Sequence, residues 1–304
     1  MTLTGIAALR AVLGEQVQEN VLLAPYTSAR IGGPAEFFVT VRSADDLVCA
    51  VQACWQAGLP YTLLGSGSNL LVSDQGLRGV AILNKAKGVE FRPGAEPVVW
   101  AESGVNFSNL AHRAAAQGLA GLEWAATIPG TVGGAVYGNA GAFGGDTAHD
   151  LLRAEVLTEI GRAWWPVEQL AYGYRTSALK RGEVRGVILA AEFRLKNGQA
   201  ETIQTTIDQL TARRKSSQPP GASLGSMFKN PPGDFAGRLI EAAGLKGTRI
   251  GNVEISPLHA NFFVNSGETR AADVRKLIEL AQQTVFEKFA VHLELEVELI
   301  GEWQ

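Results

Sequence analysis

Thr127-Ile-Pro-Gly-Thr-Val-Gly-Gly-Ala-Val-Tyr-Gly-Asn-Ala-Gly-Ala-Phe-Gly-Gly-Asp146 is the stretch on which the reading of this chain turns. Seven of its twenty residues are glycine, yet Ile128, Val132, Val136, Tyr137 and Phe143 are spread through it, where a flexible linker carries serine and charge. Glycine at this density admits positive φ and lets a ligand lie directly on peptide groups. The apolar residues between the glycines anchor the segment in a core. The combination fits a wall folded around a large, flat, partly apolar ligand. The plainer alternative is a run of tight turns between short strands.

A second glycine-rich turn, Gly65-Ser-Gly-Ser-Asn69, lies between the strand-like stretches Tyr61–Leu64 and Leu70–Val72. A dinucleotide fingerprint needs a third glycine and a helix straight after the turn. Leu70 stands there and no helix follows, so the Rossmann match fails. Consecutive amides of such a turn can form an anion nest, with Ser66, Ser68 and Asn69 adding donors; otherwise the turn is a plain hairpin connection.

The 304 residues are enough for two or three lobes, each with its own core. The formal charge of −3 offers no basic field for nucleic acid, so an anionic ligand falls to backbone amides and a few arginines. The longest apolar runs, such as Val187 to Ala191, are too short to span a bilayer. The first residues lack the charged start and long apolar core of a signal peptide. They read as a short amphipathic helix with Leu3, Ile6, Leu9 and Leu13 near one face. Cys49 and Cys54 sit five apart in one predicted helix, which points them to different sides. His112, His149, His259 and His292 are scattered without a second ligand at i+4. A cytoplasmic protein is expected, with no structural metal, disulfide framework, nucleic-acid partner or membrane insertion.

Along the chain, Ala24 to Pro34 is irregular and Glu36 to Val41 has strand composition. Ser43 and Asp46 form a capping box for a helix that ends at Gly58. Val80 to Leu83 and Val98 to Ala101 are strands, and Asn106 to Gln117 is a helix closed by Gly118. Glu155 to Leu157, Trp164-Trp165 and Val187 to Leu195 are strands around Tyr172-Gly-Tyr-Arg-Thr-Ser177. Composition shifts near Gly198. Thr202 to Lys215 is a helix with Ile203, Ile207 and Leu210 on one face. The cations Arg213-Arg214-Lys215 at its end either suit the helix dipole or reach a diphosphate. Gln218 to Pro232 reads as a long loop, Phe235 to Ala243 as a helix closed by Gly244, and Ala260 to Val264 as a strand. Ala271 to Phe289 is a helix burying Val274, Leu277, Ile278, Ala281 and Val285. Leu293 to Ile300 alternates strictly up to Leu299, which puts Glu294, Glu296 and Glu298 on one face, by default a solvated one. Mixed strands with few helices make this an α+β chain.

Four motifs stand in order: Gly-Ser-Gly-Ser-Asn-Leu-Leu (65 to 71), Ile-Pro-Gly-Thr-Val-Gly-Gly-Ala (128 to 135), Tyr-Arg-x-Ser (174 to 177) and Gly-Ser-Met-Phe-Lys-Asn-Pro (225 to 231). His259-Ala-Asn-Phe and the terminal Leu-Glu-x-Glu pattern add to them. From about Ala24 to Gly301 the set closely resembles the UDP-N-acetylenolpyruvoylglucosamine reductase family, the flavoenzymes that complete UDP-N-acetylmuramate for peptidoglycan. The resemblance implies an α+β fold, with a two-lobed FAD-binding domain of the vanillyl-alcohol-oxidase (PCMH) type and a C-terminal α+β substrate-binding domain. The expected division is residues 1–29 as an N-terminal helix and lead-in, 30–196 for FAD (lobes about 30–85 and 86–196), and 197–304 for substrate, with the last strand returning to the active site. FAD would be bound without a covalent tether, since no His or Cys lies in the flavin-binding motifs, and NADPH would be the hydride donor.

By the same resemblance Gly65, Ser66, Gly67, Ser68, Asn69 and Leu70 would hold the pyrophosphate. Ile128, Pro129, Gly130, Thr131, Gly133 and Gly134 would lie along the flavin, and Arg30, Ile31 and Gly32 would close the cofactor site. Arg175, Ser226 and Glu296 match the catalytic positions, and Tyr174, Lys229 and Asn230 are candidates for substrate contact. The chemistry makes these residue types sensible. Hydride adds to the terminal carbon of the enolpyruvyl vinyl group, and charge develops at the adjacent carbon and flows into the carboxylate. A guanidinium clamps that carboxylate more strongly as charge builds, Ser226 supplies the proton, and Glu296 assists if protonated or hydrogen-bonded. Two positions depart from the commonest pattern: Leu224 stands where Ala or Gly is usual, and Glu298 where Arg is frequent. No tyrosine-rich insertion precedes the Ser226 loop, which fits the shorter subclass. The substrate would be UDP-N-acetylglucosamine enolpyruvate, placing the protein in peptidoglycan synthesis and so in cell-wall biogenesis, cell shape and cell division. The rival readings are another FAD oxidoreductase on the same fold, and a non-catalytic sugar-nucleotide or flavin-binding protein.

Overall fold

A computed structural model of the chain describes residues 3–303, and side chains from Gly5 onward, so the side chain of Leu3 lies outside the described residues. Two compact units are present. The first comprises Met1–Val17, Val39–Gly65 and Ile82–Arg214, and the second Gln18–Phe38, Ser66–Ala81 and Lys215–Gln304.

The first unit is built on a five-stranded antiparallel sheet in the order Gly161–Pro166, Leu151–Thr158, Gly186–Arg194, Val98–Glu102, Val89–Arg92. Val187 to Phe193 is buried at every position, as a central strand covered on both faces requires. Phe107 anchors the core between Trp124, edge-on at 5.5 Å, and Phe193 at 5.4 Å. The helix Phe107–Ala116 starts where Asn106 accepts from the Asn109 amide and stops before Gly118, whose φ is +69°. The helix Ala44–Gln56 is capped by Ser43, which accepts from Asp46 N at 3.1 Å, while Asp46 accepts in return from Arg42 N. Cys49 is exposed and Cys54 buried, on different sides as their spacing requires. In the first helix, Leu3–Leu13, Leu9 and Leu13 are buried and Ile6 is half-buried.

The second unit carries a four-stranded sheet in the order Ala222–Ser226, Phe262–Asn265, Val253–Ile255, Arg249–Ile250. The helices Ala236–Ala242 and Ala271–Phe289 share its apolar core, where Val274, Leu277, Ile278, Ala281 and Val285 are all buried as their spacing predicts. The N-terminus of the long helix is satisfied from a distance. The Asp74 carboxylate accepts from the amides of Ala271 (2.7 Å) and Ala272 (3.0 Å), which also opposes the helix dipole. Leu70–Val72 pairs in parallel with Glu298–Ile300. Gln18–Leu22 runs antiparallel to Pro34–Val41, from Gln18 opposite Phe38 to Leu22 opposite Pro34. Among the described residues no helix is long and apolar enough to cross a membrane.

Four sequence expectations give way. The glycine-rich wall contains a helix, Val132–Gly138, and none of its glycines, Gly133, Gly134 and Gly138, has positive φ. A Cβ at Gly133 would stand 2.8 Å from Ser103 Cβ. Only Gly130 and Gly144 in that stretch have positive φ among its glycines. Gln218 to Pro232 is not all loop, because Ala222–Ser226 is a strand. The hairpin alternative for Gly65 to Asn69 fails, since Leu70–Val72 takes a partner from the far end of the chain. The terminal strand is Glu298–Ile300 alone, and bends at Glu296 and Val297 break the alternation. The three glutamates therefore do not share one environment: Glu294 is exposed, while Glu296 and Glu298 are half-buried.

Candidate active site

Ser226 owes its position to an irregularity in its strand. Ser223 stands opposite Val264 and Ser226 opposite Phe262, so three steps on one strand face two on the other. The extra residue is a β-bulge, and Gly225, at φ +75°, is the residue that can adopt it. In an unbroken strand Ser226 would share the face of buried Leu224; the bulge removes it from that face. Half-buried Ser226 lines an open cavity of ≈ 360 Å³ in the second unit, with Asn230, Phe235, Arg238, Glu241, Leu258 and His259.

Beyond the bulge the chain is clamped to the C-terminal segment. Met227 O accepts from Glu296 N at 2.9 Å, Lys229 N donates to Glu294 O at 2.8 Å, and Phe228 bridges Leu295 between them. The Lys229 ammonium is ion-paired with the Glu294 carboxylate. Asn69 closes the arrangement: its Nδ2 donates to Glu296 O at 3.0 Å, and its own carbonyl accepts from Glu298 N at 2.9 Å. The second unit thus brings Ser226, Lys229, Glu296 and Asn69 together, residues separated by up to 227 positions. Asn230 Oδ1 accepts from Ala236 N at 3.1 Å and so caps the helix behind the cavity.

His259 was singled out in the sequence only as part of a motif, without a role. Its Nδ1 accepts from Asn261 N at 3.2 Å, and burial holds its pKa below the ordinary 6.5. The imidazole is therefore neutral at pH 7 with its proton on Nε2, a donor at the cavity wall. Phe235, Arg238 and Glu241 were missed as cavity residues. Arg238 pairs with Asp234 and Glu241 with Lys246, and nothing in a helical repeat distinguishes such residues from solvated ones.

Arg175 lies in the first unit, in a loop stitched to the glycine-rich helix. Tyr172 Oη donates to Val136 O (2.8 Å), Ser177 Oγ to Tyr137 O (2.7 Å), and Asn139 Nδ2 to Gly173 O (3.0 Å). Arg175 itself has φ +57°, an uncommon conformation for a residue with a Cβ, retained where the surroundings over-determine it. Its Nη2 donates to Gly141 O at 2.7 Å and its guanidinium stands 5.2 Å from the Tyr174 ring centre. Arg214 reaches Thr127 Oγ1 at 3.4 Å, and Arg213 lies over the Phe143 ring, so these cations meet the glycine-rich stretch as well as ending a helix. Burial lowers the Arg214 pKa from its ordinary value.

The cofactor segments can be tested for FAD by where glycine is required and which groups remain. In the first unit a Cβ at Gly65 would meet Thr131 Oγ1 at 2.6 Å, and Gly133 N is already spent on Ser103 O. The Gly130 carbonyl accepts from Phe107 N, and Thr131 caps the short helix through Gly134 N. In the second unit Gly67, at φ +59°, has Tyr26 O 2.3 Å from its Cβ position. The carbonyls of Ser66 and Gly67 both accept from Ser28, and that of Asn69 from Glu298. With these carbonyls engaged by protein donors, the polar groups of the turn that suit an anion are its amides and hydroxyls, which are donors of the type a pyrophosphate takes. Arg30 has φ +57°, and its loop is tied by Thr27 Oγ1, which accepts from Ile31 N; Gly32 packs on Val72. Ile128 is half-buried against the core of the first unit and follows a 3₁₀ turn, Glu123–Thr127. The residues present fit the group.

Residues 35–165 match the family described as FAD binding domain, and residues 216–300 match UDP-N-acetylenolpyruvoylglucosamine reductase, C-terminal domain. The chain is 46% identical over 289 residues to the UDP-N-acetylenolpyruvoylglucosamine reductase of Chloroflexus aggregans, covering 93% of this chain and 97% of the relative. It is 44% identical over 279 residues to that of Rubrobacter xylanophilus, covering 91% and 93%. The solved structure of the reductase from Thermus caldophilus superposes with a TM-score of 0.78 at 38% identity, over 92% of this chain and 97% of that one. With bulge-placed Ser226 set beside Glu296 and this likeness along nearly the whole length, the chain belongs to the UDP-N-acetylenolpyruvoylglucosamine reductase family.

Proposed function

We propose that the protein reduces the enolpyruvyl group of UDP-N-acetylglucosamine enolpyruvate to give UDP-N-acetylmuramate, with NADPH as reductant, in the cytoplasmic synthesis of peptidoglycan precursor. The observation that carries the reading is the clamp between Met227 and Glu296, which sets a serine hydroxyl and a carboxylate segment side by side in the second unit. Held without a covalent bond by residues 65–70, 128–134 and 30–32, FAD would, once reduced by NADPH, supply the hydride for the terminal vinyl carbon. Ser226 delivers the proton to the adjacent carbon, the one left electron-rich. Arg175 grips the substrate carboxylate, into which that charge flows, and is worth more as the charge grows. Glu296 supports the protonation, and Tyr174, Lys229 and Asn230 contact the substrate. The assignment of residues 30–196 to FAD and 197–304 to substrate belongs to the same proposal.

The donor set of residues 65–69 supports FAD, and Arg30 to Gly32 with Ile128 to Gly134 complete its binding segments. The test is direct. Purified protein is expected to be yellow, to release its flavin on denaturation, and to consume NADPH steadily only when the enolpyruvyl sugar nucleotide is present. NADPH consumption with a different acceptor alone would favour another FAD oxidoreductase. A flavin that no acceptor reoxidises would favour a binding protein.

A further inference from the structure

We infer that Asn261 is a positioning residue for reduction of the substrate, holding the backbone that carries Ser226 and Lys229; this rests on the reductase reading above. Asn261 is 3% exposed, and its carboxamide makes a closed pair of hydrogen bonds with one peptide unit. Oδ1 accepts from Phe228 N at 2.9 Å and Nδ2 donates to Phe228 O at 2.8 Å. The backbone carbonyl of the same residue accepts from Met227 N at 2.8 Å.

These bonds stand where the sheet gives out. The ladder between Ala222–Ser226 and Phe262–Asn265 ends at the pair Ser226–Phe262, just past the bulge. The next two residues, Met227 and Phe228, are buried and need partners for their peptide groups. Asn261 supplies them, its side chain taking the place of a strand neighbour for Phe228. From the other side Glu296 N, Glu294 O and the Phe228–Leu295 bridge hold the same three residues. The segment 227–229 is therefore fixed between Asn261 and residues 294–296, with Ser226 at one end and Lys229 at the other. Only a planar group with one donor and one acceptor matches both the N–H and the C=O of Phe228. Asn has this; ionised Asp offers acceptors alone, Leu offers neither, and Gln is longer by a methylene. A proton donor must be held to a fraction of an ångström to be effective, and a supporting residue of this kind is what holds it.

The test uses the FAD-loaded holoenzyme with Asn261→Asp and Asn261→Ala, the near-isosteric Asp guarding against an Ala variant that fails to fold. Flavin content and bleaching by NADPH are expected to match the wild type. Reoxidation by the enolpyruvyl sugar nucleotide is expected to slow about 10- to 100-fold in its maximal rate, with apparent substrate affinity changed much less. In Asn261→Ala, which loses the acceptor as well as the donor, hydrogen exchange at the Phe228 and Lys229 amides is expected to accelerate, while the Ala271–Phe289 helix keeps its protection. Unchanged exchange at those two amides, or undiminished reoxidation, overturns the proposal. Equal slowing of both half-reactions with general loss of protection also overturns it, since that marks a purely structural residue. Wild-type flavin that this substrate does not reoxidise overturns the reductase reading instead, and the exchange measurement then still decides whether Asn261 holds Phe228.

Discussion

The backbone amide of Glu296 donates to the carbonyl of Met227 at 2.9 Å, which ties the C-terminal segment to the residue that follows Ser226. A residue 70 positions downstream is thereby held beside the serine by main-chain bonds, whatever its side chain does. Substitutions of Ser226 and Glu296 can accordingly be read as chemistry more than as folding.

Ser226→Ala is expected to leave flavin bleaching by NADPH nearly intact, because hydride transfer to the cofactor asks nothing of a proton donor. Reoxidation by the enolpyruvyl substrate is expected to slow by at least roughly 10²-fold, the low end for a lost general acid. Stopped-flow traces that time the two half-reactions separately check this. Unslowed reoxidation would remove Ser226 from the mechanism.

The three terminal glutamates are expected to behave differently. Glu296→Gln slows substrate reduction by about 10²-fold or more. Glu294 is exposed and its bond to Lys229 is a surface ion pair, so Glu294→Gln is expected to cost less than about fivefold, as pairs of that kind are worth under about 1 kcal/mol. Glu298 is held through its backbone, opposite Leu70 and bonded to Asn69 O, so Glu298→Gln is expected to be comparably mild. Steady-state rates of the three variants decide it, and equal losses would mean that the segment acts as a general acidic patch.

Gly67→Ala is expected to lower both flavin content and melting temperature. The new Cβ would meet Tyr26 O at 2.3 Å in a backbone at φ +59°, a strain of about 1–3 kcal/mol. Gly14→Ala is the control, with φ +55° and open space around its Cβ position. It is expected to cost only the backbone preference and to keep full flavin. Equal flavin content in the two variants would count against the pyrophosphate assignment.

Acid is expected to weaken the first unit through Glu192. Burial works against its charge, but hydrogen bonds from Arg153 and Arg92, each at 2.6 Å, outweigh it and hold the carboxyl below its ordinary 4.5. Between the folded value and 4.5 the unfolded chain binds more protons. The contribution is therefore full above pH 4.5 and is lost as pH falls through the folded value. Glu192→Gln is expected to cost about 1–3 kcal/mol at pH 7, the range for hydrogen bonds to charged groups and their unmet partners. The gap to wild type is expected to narrow as pH falls below 4.5, as read from denaturant midpoints at pH 7 and in acid. A gap that does not change with pH would sink this account.

Much of the fold was legible because it follows from local periodicity. Val274, Leu277, Ile278, Ala281 and Val285 describe one helical face, and all of them are buried. Ser43 with Asp46, and Asn106 before Phe107, are capping signals that act within one turn. The strand Ala222–Ser226 was not legible, since alanine, serine and glycine have little strand preference of their own. It forms because Phe262–Asn265 offers a ladder. The helix Val132–Gly138 was hidden for a related reason: glycine disfavours helix locally, and at Gly133 the close approach of Ser103 is what makes glycine the residue that fits.

The candidate site divides along the same line. The residue types and their order along the chain, a serine after glycine, an arginine after tyrosine, a glutamate near the end, were determined by the sequence itself and were enough to identify the family. The motif picked out Glu296, but tertiary structure alone decided that the three glutamates differ in exposure and that the Glu296 amide meets Met227, because the bends at Glu296 and Val297 break an alternation that looks perfect in one dimension. It alone made Asn261 a hub, because the value of a buried carboxamide lies in which distant peptide it meets. Short-range periodicity and capping are properties of neighbours in the chain. Bulges, long-range ladders and side chains that stand in for strands depend on partners that lie from about thirty to more than two hundred positions away, and no local pattern records them.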